Sequence, residues 1–234
     1  MLDMSSLNDD EVIELIDHSR GYDRELLFGV LAYSHGDSGV PFLRSHLNTS
    51  GPGSAHLRVV VMFALRMRLG PDVIPDLVEA LRGGKLNTQV AAVGNLQEVD
   101  DGHAAGELFG WLRRRLRTAK RANSWGYYEL SGMVRYAIRV GALPELLRLL
   151  DEEGDRLQPE EKRQLKQAWP ETKRTRFRAT SEPNDGPYAS VVEEWYYLSV
   201  SRPVDLPDDG TRPADEWQER AIRNARRRVA KQRS

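Results

Sequence analysis

Val73–Leu96, VIPDLVEALRGGKLNTQVAAVGNL, reads as a helix, a tight turn and a second helix. Pro75 stands near the start of the first helix, where its missing N–H would have had no partner. Leu77 and Leu81, four apart, share one face. Gly83-Gly84 breaks the helix, and Asn87 or Thr88 caps Gln89–Val99. The opening of this stretch recurs along the first two-thirds of the chain. Leu43 and Leu47 are matched by Leu77 and Leu81, Leu112 and Leu116, and Leu146 and Leu150, at steps of 34, 35 and 34 residues. The residue two before each first leucine is Pro41, Pro75, Gly110 and Pro144. The glycines that end the second helices keep step: Gly36 to Gly70 is 34 residues, and Gly70 to Gly141 is 71, two periods. Two independent landmarks on one period point to a helical-hairpin repeat. One hairpin cannot bury its leucines alone, and stacking the next at a fixed offset buries them, at about 1.5–3 kcal/mol per large side chain. The expected fold is all-α: a right-handed α-solenoid of about five hairpins over residues 1–170, with an irregular extension over 171–234.

Taken in order, Asn8-Asp9-Asp10-Glu11 opens a helix, since a capping side chain and early acids satisfy free N–H groups and oppose the dipole. It should stop near Gly21. Arg24–His35 follows, ended by Gly36, which suits a left-handed C-cap. Gly39–Leu47 and Ala55–Leu69 flank the turn-former cluster Asn48–Ser54. After Asp72–Leu81 and Gln89–Val99 come His103–Arg121, Tyr127–Val140 capped by Asn123 or Ser124, Leu143–Glu153 and Glu160–Trp169. Beyond Trp169-Pro170 the composition shifts. Lys173–Arg178 is basic, and Tyr188–Val200 carries strand-like β-branched and aromatic residues beside a Ser190/Glu193 capping box. Trp217–Arg233 is a helix with Trp217, Ala221 and Ala225 on a narrow apolar stripe.

These residues resemble a family. Ile74–Leu81 followed by Val90–Leu96 is similar to a HEAT-type repeat of the short bacterial kind, and Leu57-Arg58-Val59 with Ala64-Leu65 and Gly70 looks like the second half of another. The resemblance covers about residues 10–170. It departs from the family pattern in lacking the Asp before the second helix and in offering Leu57-Arg58 and Gln89-Val90 for the Val-Arg pair. The period also suits tetratricopeptide repeats, but their Trp, Gly, Tyr and Ala positions do not line up. The resemblance implies an α-solenoid whose usual work is binding proteins, with a minority of members binding nucleic acid or acting as enzymes.

Composition narrows the chemistry. The net charge of −1 conceals opposed patches: nine acids against three bases in residues 1–50, six bases and no acid in 113–121, seven bases and one acid in 219–234. Such patches bear on partners rather than fold. The absence of cysteine excludes disulfides, Cys-ligated zinc and thiol catalysis. The longest apolar run, Val59–Leu65, falls far short of the roughly 20 residues that span a bilayer. The acidic start shows no signal peptide, so the expected setting is cytoplasmic, with no membrane partner.

No catalytic, cofactor or metal signature stands out. His18, His35, His46, His56 and His103 lack the spacing of a helical metal pair. Asp100-Asp101-Gly102-His103 joins acids to an imidazole, but it lies at a helix boundary where acids and glycine belong anyway. The acids Asp151–Asp155 lack the alternating oxygens of a calcium loop.

The cluster above background is Trp111–Tyr128. Arg113, Arg117 and Lys120/Arg121 fall on one side of a helix and Leu112 and Leu116 on another, leaving the basic side open while the leucines pack. Trp111, Arg113, Arg114, Arg117, Arg121, Trp125, Tyr128, Arg135 and Arg139 form the candidate partner-binding set. Arg beside Trp and Tyr suits an acidic protein surface, where these residues make the usual anchors, suits phosphate contact with base stacking, and equally suits a merely solvated helix with its aromatics in the core. The reading is therefore a non-enzymatic scaffold or adaptor for a protein partner with an acidic surface. The alternative is a nucleic-acid-binding protein similar to the HEAT-like DNA-alkylation-repair glycosylases, with Ser124-Trp125 and Glu129 echoing their Trp and acid. The two separate on whether Arg113, Arg117, Arg135 and Arg139 share one open face.

Overall fold

The computed structural model describes residues 2–47, 54–118, 125–157 and 212–233, with side chains described except at 54–55 and 125–131. Among them the regular structure is helical: α1 (Asp9–Asp17), α2 (Gly21–Leu31), α3 (Gly39–His46), α4 (Ser54–Leu69), α5 (Ile74–Gly83), α6 (Leu86–Val99), α7 (Ala105–Arg117), α8 (Trp125–Arg139), α9 (Leu143–Glu153) and α10 (Glu216–Arg233), with short 3₁₀ turns between. No named strand occurs among the described residues, and two isolated β-bridges join extended backbone. The expected helix Glu160–Trp169, the basic run Lys173–Arg178 and the ambiguous Tyr188–Val200 lie outside the described residues. No described helix is long and apolar enough to cross a membrane.

The elements form where the sequence places them, for the reasons it gives. The Asn8 side chain accepts the Asp10 N–H at 2.9 Å, capping α1 over its acidic first turn. The leucine pairs lie on the inner faces of α3, α5, α7 and α9. Seven of the eight are buried, and Leu47 is half-buried. Gly70 and Gly141 adopt left-handed φ of 55° and 73° at the ends of α4 and α8, a region a side chain rarely enters.

Several boundaries differ from expectation: α2 ends at Leu31 rather than His35, and α7 runs from Ala105 to Arg117 rather than from His103 to Arg121. α2 starts at Gly21 rather than Arg24, and α1 already ends at Asp17. α6 starts at Leu86, so Thr88 is no cap. It is buried inside the first turn, and its hydroxyl accepts from Arg58 Nε of α4 at 2.8 Å. A polar side chain can satisfy a tertiary donor as readily as its own helix terminus.

The described residues fall into two compact units. The first draws on Met1–Asp76, Gly84–Ala91 and Pro203–Ser234, the second on Leu77–Gly83 and Ala92–Arg202. In the first unit α2 packs on α1 and α4, and α3 on α4. Its polar centre is Asp9. The carboxylate is 1% exposed and takes both ends of the Arg68 guanidinium, at 2.6 and 3.0 Å. Ser34 Oγ and the Gly39 N–H donate to the same carboxylate at 2.6 and 2.8 Å. Arg68 also donates to the carbonyls of Leu31 and Gly36, closing the end of α2. A Cβ at Gly39 would force that guanidinium and the Asp9 carboxylate to shift.

The first unit also contains α10, which lies against α2 and α1. Ala221, Ile222, Ala225 and Val229 form its buried stripe. Trp217, expected on that stripe, is 52% exposed, with the Arg220 guanidinium 4.2 Å over its ring. Arg226 pairs with Glu11 at 2.7 Å, Arg233 with Glu14, and Arg228 with Asp23 at 3.4 Å. Exposed pairs of this kind contribute about 0–1 kcal/mol each and weaken with salt. The apolar stripe therefore dominates the docking. Ile222→Asp is expected to release α10 and open its arginines to trypsin in limited proteolysis, whereas raising salt to about 1 M leaves the wild-type helix protected. Cleavage brought on by salt alone would mean the ion pairs hold it.

In the second unit α7 and α8 both pack on α9 and on each other. Leu108, Trp111, Leu112 and Leu116 of α7, Met133, Tyr136 and Ala137 of α8, and Leu146, Leu149 and Leu150 of α9 are buried there. Phe109 meets Tyr136 edge-on with centroids 6.3 Å apart.

Candidate functional site

The basic side of α7 faces acids of α9. Arg113 reaches Glu152 at 2.5 Å, and Arg117 Nε reaches Glu153 at 2.7 Å. Glu153 is 3% exposed, and Arg156 approaches its other oxygen at 3.2 Å. Hydrogen bonding from Arg117 outweighs the effect of burial and holds the Glu153 carboxyl below the usual range. Trp111 is 1% exposed, with the Arg115 guanidinium 5.9 Å over its ring. It belongs to the core of the second unit. Arg114 is exposed. Arg139 donates to the backbone carbonyls of Gln97 at 2.6 Å and Asp100 at 2.9 Å, and its guanidinium stands 5.6 Å over Tyr136. Arg135 is half-buried. Arg121 lies outside the described residues, as do the side chains of Trp125, Tyr128 and Glu129. Arg113 and Arg117 on α7 are thus brought together on two α9 carboxylates, while Arg139 on α8 closes the end of α6.

That end of α6 holds a polar corner of the second unit. Asp100 is fully buried. Its Oδ2 accepts the Tyr136 hydroxyl, the Gly102 N–H at 3.1 Å and the Ala104 N–H at 3.0 Å. Burial and the hydrogen bond to Asp100 push the Tyr136 phenol far above its ordinary pKa, so it stays protonated and donates. Beside it Asp101 pairs with His103 Nδ1. This pairing lowers the Asp101 carboxyl and raises the His103 imidazole from their ordinary values. A carboxylate oxygen from each Asp and a ring nitrogen of His103 lie within 4.8 Å of one another. The sequence shows the acids and the imidazole but not the donors around Asp100, because Tyr136 stands 36 residues away.

The outer face of α4 holds no member of the candidate partner-binding set. Val59 and Met67 are 37% and 38% exposed. Phe63, one helical turn from each, is half-buried beneath the Arg66 guanidinium at 5.4 Å. The spacing 59, 63, 67 was available to find it: residues four apart share a helix face, and this one is apolar opposite the buried Leu57, Val61 and Leu65.

No family model matches the chain, and no curated protein or solved structure matches it.

Proposed function

We propose that the chain is a HEAT-like helical-repeat protein, a right-handed solenoid of about five hairpins, that works as a non-enzymatic scaffold binding a protein partner. Side-chain bridges between like helices support the repeat. First helices are linked by Arg44–Asp76, Arg82–Glu107 and Arg113–Glu152, second helices by His56–Glu25 and Arg58–Thr88, over separations of 25 to 39 residues. These bracket the leucine period.

The observation that carries the choice of partner is the fate of the two basic runs. In each unit arginines of the run meet carboxylates of that same unit, on α9 for Arg113 and Arg117 and on α1 and α2 for Arg226, Arg228 and Arg233. An arginine already paired gains little from a phosphate, because the contact must first displace its carboxylate. The Val59–Phe63–Met67 stripe, exposed at Val59 and Met67 and with Arg66 beside it, is instead the mixture that anchors protein interfaces.

Two measurements test this. A labelled DNA duplex should show no binding even at about 50 mM salt, whereas contact with several phosphates would give binding that falls at least tenfold by about 200 mM. Protein captured on the immobilised full-length chain should be lost with Val59→Asp/Met67→Glu, with no change in the unfolding midpoint. Steeply salt-dependent DNA binding, or capture indifferent to the double variant, would reverse the reading.

A further inference from the structure

The two carboxylate oxygens of Asp100 are unequally served. Oδ2 accepts from three donors, whereas Oδ1 is buried and accepts no hydrogen bond from the described residues. A buried carboxylate oxygen left without a partner costs free energy that native folds normally avoid. The three donors also fix how the carboxylate points and leave Oδ1 as its oxygen with unused acceptor capacity. The turn after α6, with Gly102 at φ 117°, brings Asp101 and His103 to the same corner.

We infer that Asp100, Asp101 and His103 form a binding site for a divalent transition-metal cation of the Zn²⁺ class. One imidazole nitrogen with two carboxylate oxygens matches zinc, which takes three protein ligands and leaves a fourth position to water. Calcium wants six to eight oxygens, and magnesium keeps most of its own water. Ligand atoms about 2.1 Å from a tetrahedral zinc lie about 3.4 Å from one another. Asp101 and His103, both exposed, are free to rotate into that spacing from their present contact. Tyr136 and the two backbone N–H groups do for Asp100 what outer hydrogen-bonding groups do for metal ligands, fixing orientation through the oxygen the metal does not use. Arg139, bound to the Asp100 carbonyl, brings a positive charge into the corner and keeps the expected affinity moderate.

The test uses the full-length, tag-free protein stripped with a chelator. Titration with ZnCl₂ in a calorimeter should give one ion per chain and raise the thermal midpoint, while MgCl₂ and CaCl₂ at the same concentration do neither. Co²⁺ should give the visible absorption of a tetrahedral site. Asp101→Asn and His103→Ala, at exposed positions that leave helicity unchanged, should each weaken Zn²⁺ binding at least about tenfold, and Tyr136→Phe should weaken it with the other two ligands intact. Absence of Zn²⁺ binding overturns the inference. So does binding that His103→Ala leaves unchanged, since that ion would sit elsewhere, at His56 and Glu25 for example.

Discussion

Asp9→Ala is expected to lower the unfolding free energy by about 3–5 kcal/mol, the range for removing one partner of a buried ion pair. The substitution strands the Arg68 guanidinium, whose side chain is 11% exposed, and leaves the Ser34 hydroxyl and the Gly39 N–H without their carboxylate. It also loosens the seam at which α1, α2, α3 and α4 meet. Asp76→Ala is the control. It removes the partner of Arg44, which is 49% exposed, and should cost at most about 1 kcal/mol. Urea denaturation of the two variants beside the wild type measures both. The pH dependence has a fixed sign. Burial alone would raise the Asp9 carboxyl, but hydrogen bonds from Arg68, Ser34 and Gly39 and the Arg68 charge bring it below its ordinary 3.8. A folded pKa below the unfolded one means the contribution is complete above that ordinary value and is lost as pH falls through the lower, folded pKa. The gap between wild type and Asp9→Ala should therefore be constant near neutrality and shrink only in acid below 3.8. A midpoint unmoved by Asp9→Ala at neutral pH would mean that Asp9 and Arg68 do not hold this seam.

The same pair shows what a sequence can and cannot reveal. Leucine pairs and end glycines announce themselves because each is set by local geometry, a helix face or a left-handed φ. Asp9 reads locally as a first-turn acid, which it is, yet its main partner stands 59 residues away. The same blindness affects α7. Along one helix Arg113 and Arg117 look outward and open. The acids that meet them are 36 to 39 residues on, where α9 presents Glu152 and Glu153. Opposed charge in residues 1–50 and 219–234 was visible in the composition, but that α10 lies on α1 and α2 depends on its fit to them, which no local pattern encodes. The Asp100 corner was half-visible: its ligand types are adjacent in sequence, and the tyrosine that orders them is not.

Trp111→Ala is expected to cost about 3–5 kcal/mol, the range for truncating a large buried aromatic side chain. Trp111 stands in the candidate partner-binding set drawn from the sequence, and the structure buries it instead. Leu108, Trp111, Leu112 and Leu116 stand at i, i+3, i+4 and i+8, and all four are buried. Trp111 belongs to the leucine face of α7, although an arginine run begins two residues on, at Arg113. Arg114→Glu, at an exposed position on the same helix, should stay within about 0.5 kcal/mol of wild type. Trp111→Phe, which keeps an aromatic ring in the core, should fall between the two. Urea midpoints for the three variants, read beside capture of the protein partner, separate a core tryptophan from an interface anchor. A core residue loses stability first and binding only as the folded fraction falls. An anchor loses binding at an unchanged midpoint, and that result would return α7 to the candidate interface and make α4 secondary.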